Sequence, residues 1–302
     1  MPDPADLYEL DADLPELDAP VLLNLLPGFV DAGSAGRLLT RHLLGTLTHR
    51  PLATFDVDDL IDHRSSRPIM TFVQDHWEAY SGHELVLHLA QDEADTPFLM
   101  LTGPEPDYRW ERFVSAVIGL IERFGVRLTV GINAIPMAAP HTRPSGMTAH
   151  GTRPELVVGY EPWIARVQVP GSVSALLEYR LGRQDRDAVG FAAHVPHYVA
   201  QAEYPDSSLS LLNALSRASG LVLPTLALSE AAQATRENID EQVGKSEEIV
   251  AVVEALEQQY DAFLGGRGQA PLLAMDGTAM PTADELGAEL ERFLAAQDRK
   301  EG

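Results

Sequence analysis

A glycine-containing loop is the first place where this sequence could bind an anion. The stretch PGFVDAGSAG (27–36) separates an apolar run from a segment with helical periodicity. The dinucleotide fingerprint G-x-G-x-x-G would need a glycine where Asp31 stands. Free N–H groups at the start of the following helix can bind phosphate, but a carboxylate beside them would repel it. A tight strand-to-helix turn is therefore the favoured interpretation, and a ligand or partner contact through Asp31, Gly33 and Ser34 is the alternative.

An acidic segment, DVDDLIDHR (56–64), follows the next predicted strand. In open α/β sheets, ligands gather at the carboxyl ends of the strands. Carboxylates such as Asp56 and Asp62, with Arg64 nearby, could serve acid–base chemistry or hold magnesium. A solvated acidic loop is the commoner meaning of such a run, so the segment contributes three candidate contacts and no assigned chemistry.

Histidines make up the third group of candidates. His194 and His197 stand three residues apart at the end of a predicted strand, and in an extended chain their side chains point to opposite faces. His141 lies in a long loop and could join them only through tertiary folding. No third ligand has a recognisable spacing, and no G-x-S-x-G nucleophile elbow exists. We therefore expect no metal, no cofactor and no catalytic residue, and we keep the three histidines as candidate ligand or partner contacts.

Composition excludes several classes of protein. The chain has 302 residues, of which 45% are apolar, and no cysteine. Disulfides, thiolate catalysis, cysteine zinc sites and iron–sulfur clusters are therefore excluded. A net charge of −23 repels nucleic acid and anionic membranes. No apolar run approaches the ~20 residues that span a bilayer, and no signal peptide is recognisable, so we expect a cytoplasmic protein.

Strands and helices alternate along the central part of the chain. Apolar runs of the kind found in strands buried on both faces predict a mainly parallel sheet within an α/β layer structure. The predicted strands are 20–26, 51–57, 97–103, 126–137 and 188–200, and the predicted helices are 31–47, 107–125, 172–182 and 205–220. Segments 67–80 and 83–92 flank Ser81-Gly82 and predict an antiparallel hairpin.

The same patterns divide the chain into four parts. Residues 1–19 are acidic and predict a disordered arm, and 20–227 form the α/β core. Residues 228–264 carry an imperfect apolar stripe and predict amphipathic helices that cover the core or a neighbouring subunit. Residues 265–302 predict a linker and a short helix at 282–297. Within the core, the loop 138–154 is long for an internal connection, which is typical of a functional or mobile segment.

An ordered set of segments resembles the proteasome assembly chaperone family in its prokaryotic, actinobacterial branch. The resemblance covers residues 20 to 265, and no single motif within it is catalytic. The matching segments are PGFVDAGSAG (27–36), DVDDLIDHRSSRP (56–68), GVRLTVGINAIPMAAPHTRP (125–144) and GFAAHVPHYVAQAEYPDSSLSLLNAL (190–215).

The resemblance implies a three-layer α/β/α sandwich similar to the nucleoside-phosphorylase fold. It also implies a homo-oligomer, with a trimer favoured, and a link to the proteasome core subunits. Members that dock on the proteasome commonly end in a hydrophobic residue, a tyrosine and any residue, whereas this sequence ends in QDRKEG. Similarity of fold to phosphorylases does not carry their activity with it.

Two functional hypotheses follow. The first is a non-enzymatic, chaperone-like or scaffolding protein that forms a homo-oligomer, with no nucleic acid or membrane as partner. The second is a small-molecule hydrolase or phosphorylase-like enzyme with a pocket at the carboxyl ends of the strands. The second requires Asp31, Ser34, Asp56, His141 and His194 to converge on one cleft.

Overall fold

The computed structural model of the protein describes residues 3–160 and 166–265, with side chains up to residue 262. The strands are β1 (Tyr8–Leu10), β2 (Val21–Asn24), β3 (His49–Phe55), β4 (Ile69–Val73), β5 (His76–Ser81), β6 (Val86–Gln91), β7 (Pro97–Thr102), β8 (Leu128–Met137), β9 (Met147–Gly151) and β10 (Ala188–Pro196). The helices are α1 (Ala35–Thr46), α2 (Val57–Leu60), α3 (Trp110–Arg123), α4 (Val173–Gly182), α5 (Pro205–Ser219), α6 (Leu226–Val243) and α7 (Glu247–Gly265).

Eight strands form the main sheet in the order β1-β3-β6-β7-β2-β8-β10-β9. The central strands β7, β2, β8 and β10 are parallel, and the strands on both flanks pair antiparallel. Every residue of β2 is buried, as the continuous apolar run predicts for a strand covered on both faces. The carboxyl ends of the parallel strands therefore meet at one edge of the sheet.

Helices cover both faces of this sheet and confirm the three-layer α/β/α sandwich. On one face, α1 and α5 pack against alternate residues of β8 and β10, which include Val130 and Phe191. On the other face, α3 and α4 pack against the sheet residues that point the opposite way, among them Leu22 of β2 and Leu99 of β7. The alternation of side chains along each strand divides the core into these two clusters.

The predicted antiparallel hairpin exists, but its strands differ from the expected ones. β4 and β5 pair with each other across a turn at Gln74 and Asp75, and this two-stranded sheet is separate from the main one. The segment expected to be its second strand is instead β6, which lies between β3 and β7. Leu85 and Leu87 belong to one core cluster, and Val86 faces the opposite side, as alternation predicted. Periodicity fixed the faces of β6 but not its pairing partner.

The acidic N-terminal segment differs from the disordered arm that we expected for 1–19. Pro4–Leu7 forms a 3-10 helix, and β1 extends the main sheet by pairing with β3. Leu7 is completely buried, and Tyr8 and Leu10 pack against the same core cluster. A few apolar residues in an acidic background are therefore sufficient to fix this segment at the sheet edge.

The long loop 138–154 also has more structure than we expected, because its second half is strand β9. β9 pairs antiparallel with β10 and forms the far edge of the sheet. The amphipathic segment that follows α5 folds as the two helices α6 and α7. α6 packs on α5, with Leu228 and Ala232 buried. The predicted helix at 282–297 lies outside the described residues.

Candidate functional site

A cavity of about 960 Å³ lies at the carboxyl ends of β2 and β7, between α1 and the sheet. α1 forms one wall through Arg37, Thr40, Arg41 and Leu44, and the strand side contributes His49, Val86, His88, Thr102 and Ile132. The loop after β2 closes one end with Leu25, Pro27, Gly28 and Asp31. Open α/β sheets bind ligands in this region because the loops diverge there.

Asp31 caps the start of α1. Its carboxylate accepts hydrogen bonds from the backbone N–H groups of Gly36, at 2.7 Å, and Arg37, at 3.1 Å. Ser34 is the residue before the helix, and its side chain makes no capping bond. The N–H groups that would bind a phosphate therefore bind the protein's own carboxylate. The favoured interpretation of the loop as a strand-to-helix turn agrees with this geometry.

Gly33 and Ser34 fix the loop against the connection between β10 and α5. Gly33 has φ +64°, its N–H donates to the carbonyl of Ala200 at 2.7 Å, and its own carbonyl accepts from Tyr204 N–H at 2.8 Å. A Cβ on Gly33 would lie 2.9 Å from the Cβ of Tyr204. Ser34 is buried, and its hydroxyl accepts a hydrogen bond from the Arg37 guanidinium. Both residues are engaged in contacts with other residues of the chain, and neither lines the cavity.

Two histidines from the strands line the cavity. The rings of His49 and His88 meet edge to face, with centroids 5.2 Å apart. Burial, with a smaller contribution from His49, lowers the pKa of His88 to about 4, so His88 is neutral near pH 7. Its Nε2 lies 3.0 Å from the hydroxyl of Thr102, and its Nδ1 is buried without a hydrogen-bond partner in the described part of the chain.

His141 lies at the centre of a separate buried network. Its Nδ1 lies 2.6 Å from the hydroxyl of Tyr198, and its Nε2 lies 3.0 Å from a carboxylate oxygen of Asp240 in α6. The backbone N–H of His141 also donates to the Tyr198 hydroxyl, at 2.7 Å. Burial raises the pKa of Tyr198 to about 12, so the hydroxyl keeps its proton. The network joins the first half of the loop 138–154 to α6.

A second set of contacts joins the same loop to α7. The guanidinium of Arg143 forms an ion pair with Asp261, at 2.7 Å, and another with Glu257, at 3.3 Å. The hydroxyl of Thr142 donates to Glu257. The loop is therefore held by both α6 and α7.

His194 and His197 occupy different surroundings at the end of β10. His194 pairs with Thr148 of β9 at 2.7 Å, and burial lowers its pKa to about 4. His197 lies in the 3-10 helix that follows, where burial lowers its pKa. No group of three or more histidine, aspartate or glutamate residues with metal-binding geometry occurs within residues 3–160 and 166–265.

The acidic segment after β3 forms a local turn network at the surface. Asp56 caps the single turn of α2 by accepting from the N–H of Asp58, at 3.0 Å. Asp62 accepts from the N–H of Arg64, at 2.9 Å, and its own N–H donates to the carboxylate of Asp107, at 2.6 Å. The side chain of Arg64 is exposed. These groups stabilise the chain that leads into the hairpin, and none of them lines the cavity.

Of the five side chains that the enzyme hypothesis required, only Asp31 lines the cavity, so the five do not converge on it. The sequence reasoning missed the residues that do, above all Arg37, Arg41, His49 and His88. The alternation of β6 already placed His88 beside Val86, opposite the leucine face, and this was the one available signal. In the described residues, no helix is long and apolar enough to cross a membrane.

Comparisons with known proteins place this geometry among related structures. A model of the PAC2 family matches residues 25–243. A Mycobacterium tuberculosis protein of unknown function, Rv2714, is 47% identical, with a TM-score of 0.83 over 86% of this chain and 92% of its own. A Corynebacterium glutamicum protein of unknown function is 41% identical, with a TM-score of 0.83 over 87% and 99%.

A third solved structure shows the fold alone. The M. tuberculosis proteasome-assembly chaperone homologue Rv2125 is 22% identical, with a TM-score of 0.70 over 77% of this chain and 99% of its own. No curated protein matches the chain significantly.

Proposed function

The chain belongs to the PAC2 family, and on this premise we propose that it is a non-enzymatic, chaperone-like protein that works as a homo-oligomer. The observation that carries the proposal is the hairpin of β4 and β5, which has no partner in the main sheet. All its strand residues except Val73 are exposed. Two-stranded hairpins are marginally stable alone in water, so this one needs a surface to cover it.

The composition of the hairpin identifies the kind of surface. Its exposed apolar side chains include Ile69, 74% exposed, and Trp77, 62% exposed. Met70 pairs with Tyr80 and Phe72 with Trp77, so these four side chains share one face of the hairpin. The rings of Phe72 and Trp77 pack edge to face, 5.1 Å between centroids. Contiguous apolar patches of this kind mark protein–protein contacts.

We propose that a second copy of the chain covers the apolar face of this hairpin. Every copy carries the same patch, and closed symmetric oligomers bury such patches without leaving any exposed. The net charge of −23 keeps copies apart unless apolar contact outweighs their repulsion, and aromatic side chains supply such contact. We propose a trimer, following the family resemblance.

The chaperone-like role is proposed from relatives. The M. tuberculosis protein Rv2125, whose fold this chain shares, is named as a homologue of proteasome-assembly chaperones. By extension, proteasome core subunits are the client that we propose. In support of a role without catalysis, His141, Asp56 and His194, which the enzyme hypothesis placed in one cleft with Asp31 and Ser34, lie away from the cavity.

Light scattering after gel filtration tests the oligomer. We expect the wild type to have three times the protomer mass, and a Phe72→Ser/Trp77→Ser variant to shift toward the monomer. Tyr179→Ser, which removes an aromatic side chain of similar exposure from α4, should keep the wild-type mass. A wild type that is monomeric at all concentrations would overturn the oligomer.

A pulldown from a lysate that contains proteasomes tests the client. The tagged wild type should recover core subunits. The same pulldown with the Phe72→Ser/Trp77→Ser variant shows whether the homo-oligomer is needed for this recovery. Recovery of no core subunit by the oligomeric wild type would contradict the assembly role, whatever the oligomer's size.

A further inference from the structure

We propose that the cavity beside α1 binds a small carboxylic acid that has an apolar body. This inference goes beyond the chaperone-like role and does not depend on it. Three features of the cavity carry the proposal: its place and size, its paired cations, and a histidine whose buried nitrogen has no hydrogen-bond partner among the described residues.

The cavity has the size and position of a small-molecule site. Its volume of about 960 Å³ lies at the upper end of the range for ligand pockets, roughly 300–1,000 Å³. Leu25, Leu44, Val86 and Ile132 give it apolar walls on both the helix and the strand side. The apolar body of a ligand can lie against these walls, where its surface is no longer exposed to water.

Two arginines supply a positive charge at the cavity. Arg37 and Arg41 stand four residues apart on α1, so both lie on one face of the helix. Arg37 donates to the hydroxyl of Ser34 and forms no ion pair with any residue of the described chain. Arg41 reaches Glu203 at 3.3 Å, with 64% of its side chain exposed. In a protein of net charge −23, this pair balances the two carboxylates of the cavity lining, those of Asp31 and Glu84.

The acids at the cavity limit the charge that a ligand can carry. Both carboxylate oxygens of Asp31 are occupied by the N–H groups at the start of α1, which removes the usual phosphate-binding position. Glu84 is a second anionic residue of the lining. A doubly charged phosphate would meet two carboxylates there, whereas a single carboxylate can pair with a guanidinium fork.

His88 supplies the third feature. A buried polar atom without a hydrogen bond costs about 1–3 kcal/mol, so a water molecule or a ligand group that reaches its Nδ1 would stabilise it. When the hydroxyl of Thr102 donates to Nε2, the neutral ring carries its proton on Nδ1. That N–H can donate to the carboxylate of a ligand in the cavity, whose lining also holds the two arginines of α1.

Binding of octanoate, measured by isothermal titration calorimetry on the full chain, tests the proposal, with octanol as the uncharged probe. We expect saturable binding of octanoate and at least tenfold weaker binding of octanol. The double variant Arg37→Gln/Arg41→Gln should bind octanoate at least tenfold more weakly than the wild type. Arg123→Gln, on the exposed face of α3, is the matched control and should bind as the wild type. Thermal unfolding of each variant checks that it is folded.

Three results would overturn the proposal: no octanoate binding, equal binding of octanol, or equal binding by the double arginine variant. Binding of octanoate by the Phe72→Ser/Trp77→Ser variant alone would also overturn it, because the cavity of the wild type would then be covered by a neighbouring copy. The oligomer itself is measured separately by its mass, so failure of the ligand site and failure of the proposed function remain distinguishable.

Discussion

The carboxylate of Asp31 lies 2.7 Å from the backbone nitrogen of Gly36 and accepts its hydrogen bond at the N-terminus of α1. The position that a phosphate occupies in nucleotide-binding loops is therefore filled by a side chain of the same loop. This contact decides the meaning of the glycine loop, which sequence spacing left open between a turn and a ligand site.

Replacing Asp31 should therefore destabilise the fold. Asp31→Ala leaves two helix N–H groups without their acceptor, and loss of a helix cap costs about 1 kcal/mol of the free energy of unfolding. Urea denaturation measures this loss. Asp13→Ala removes a carboxylate that is 95% exposed and should change the free energy of unfolding little. Equal effects of the two variants would show that Asp31 is not a structural cap.

Gly33 should not tolerate a side chain. Gly33→Ala forces a left-handed backbone on alanine and places its Cβ 2.9 Å from Tyr204, and together these should cost about 2–4 kcal/mol. In contrast, Gly119→Ala lies in α3, has open space at Cβ and should stabilise by roughly 0.5–1 kcal/mol. Thermal unfolding of the two variants gives opposite signs if the loop geometry is correct.

Asp92 makes the stability depend on pH in the acidic range. Its buried carboxylate accepts hydrogen bonds from Thr96 N–H at 2.7 Å, Val222 N–H at 2.8 Å and Ala94 N–H at 2.9 Å. Burial raises the pKa, but these bonds outweigh it and hold the pKa below its usual value. The ionised form thus adds stability above the unfolded pKa of about 3.9, and this stability is lost as the pH falls through the lower folded pKa.

The measurement compares the wild type with Asp92→Asn in urea at several pH values. The wild type should be more stable above pH ~5, and its advantage should shrink steadily toward pH ~3. Asp95→Asn, on the exposed turn beside it, should show no such dependence. A pH-independent difference between the wild type and Asp92→Asn would contradict the depressed pKa.

The bonds of His141 to Tyr198 and Asp240 should hold α6 to the loop. Tyr198→Phe removes the hydroxyl that serves both the ring and the N–H of His141, and unpaired buried groups should cost about 1–3 kcal/mol. Hydrogen exchange should speed up in α6 and α7 more than in the sheet, because the loss is local. Tyr80→Phe, in the exposed hairpin, is the control. Unchanged exchange in α6 would show that the network does not hold the helix.

Much of the layered fold is readable from the sequence. Apolar runs place β2, β7 and β8 in the buried sheet, and helical periodicity places α3 and α5 on it, because these signals depend only on neighbouring residues. The pairing of the strands, in contrast, cannot be read from neighbouring residues. The sequence shows that β6 alternates, but its position between β3 and β7 depends on contacts with distant segments. The hairpin was consequently predicted in the right region with the wrong second strand.

The N-terminal segment shows a second limit of local reasoning. Its acidic composition predicted disorder, yet burial of Leu7 and pairing of β1 with β3 order it. The energy that orders such a segment comes from a surface formed by other parts of the chain, and composition holds no information about that surface.

By itself, the sequence determined the α/β class, the faces of the strands, the absence of cysteine chemistry and the strong negative charge, since each follows from residue type and short-range spacing. Only the tertiary structure decided which side chains meet. It directed Asp31 to the helix end, His141 to Asp240 and His194 to Thr148, and it brought Arg37, Arg41 and His88 to one cavity. Apart from the local contact of Asp31, these contacts join residues far apart in sequence, and their geometry is set by how helices and strands pack.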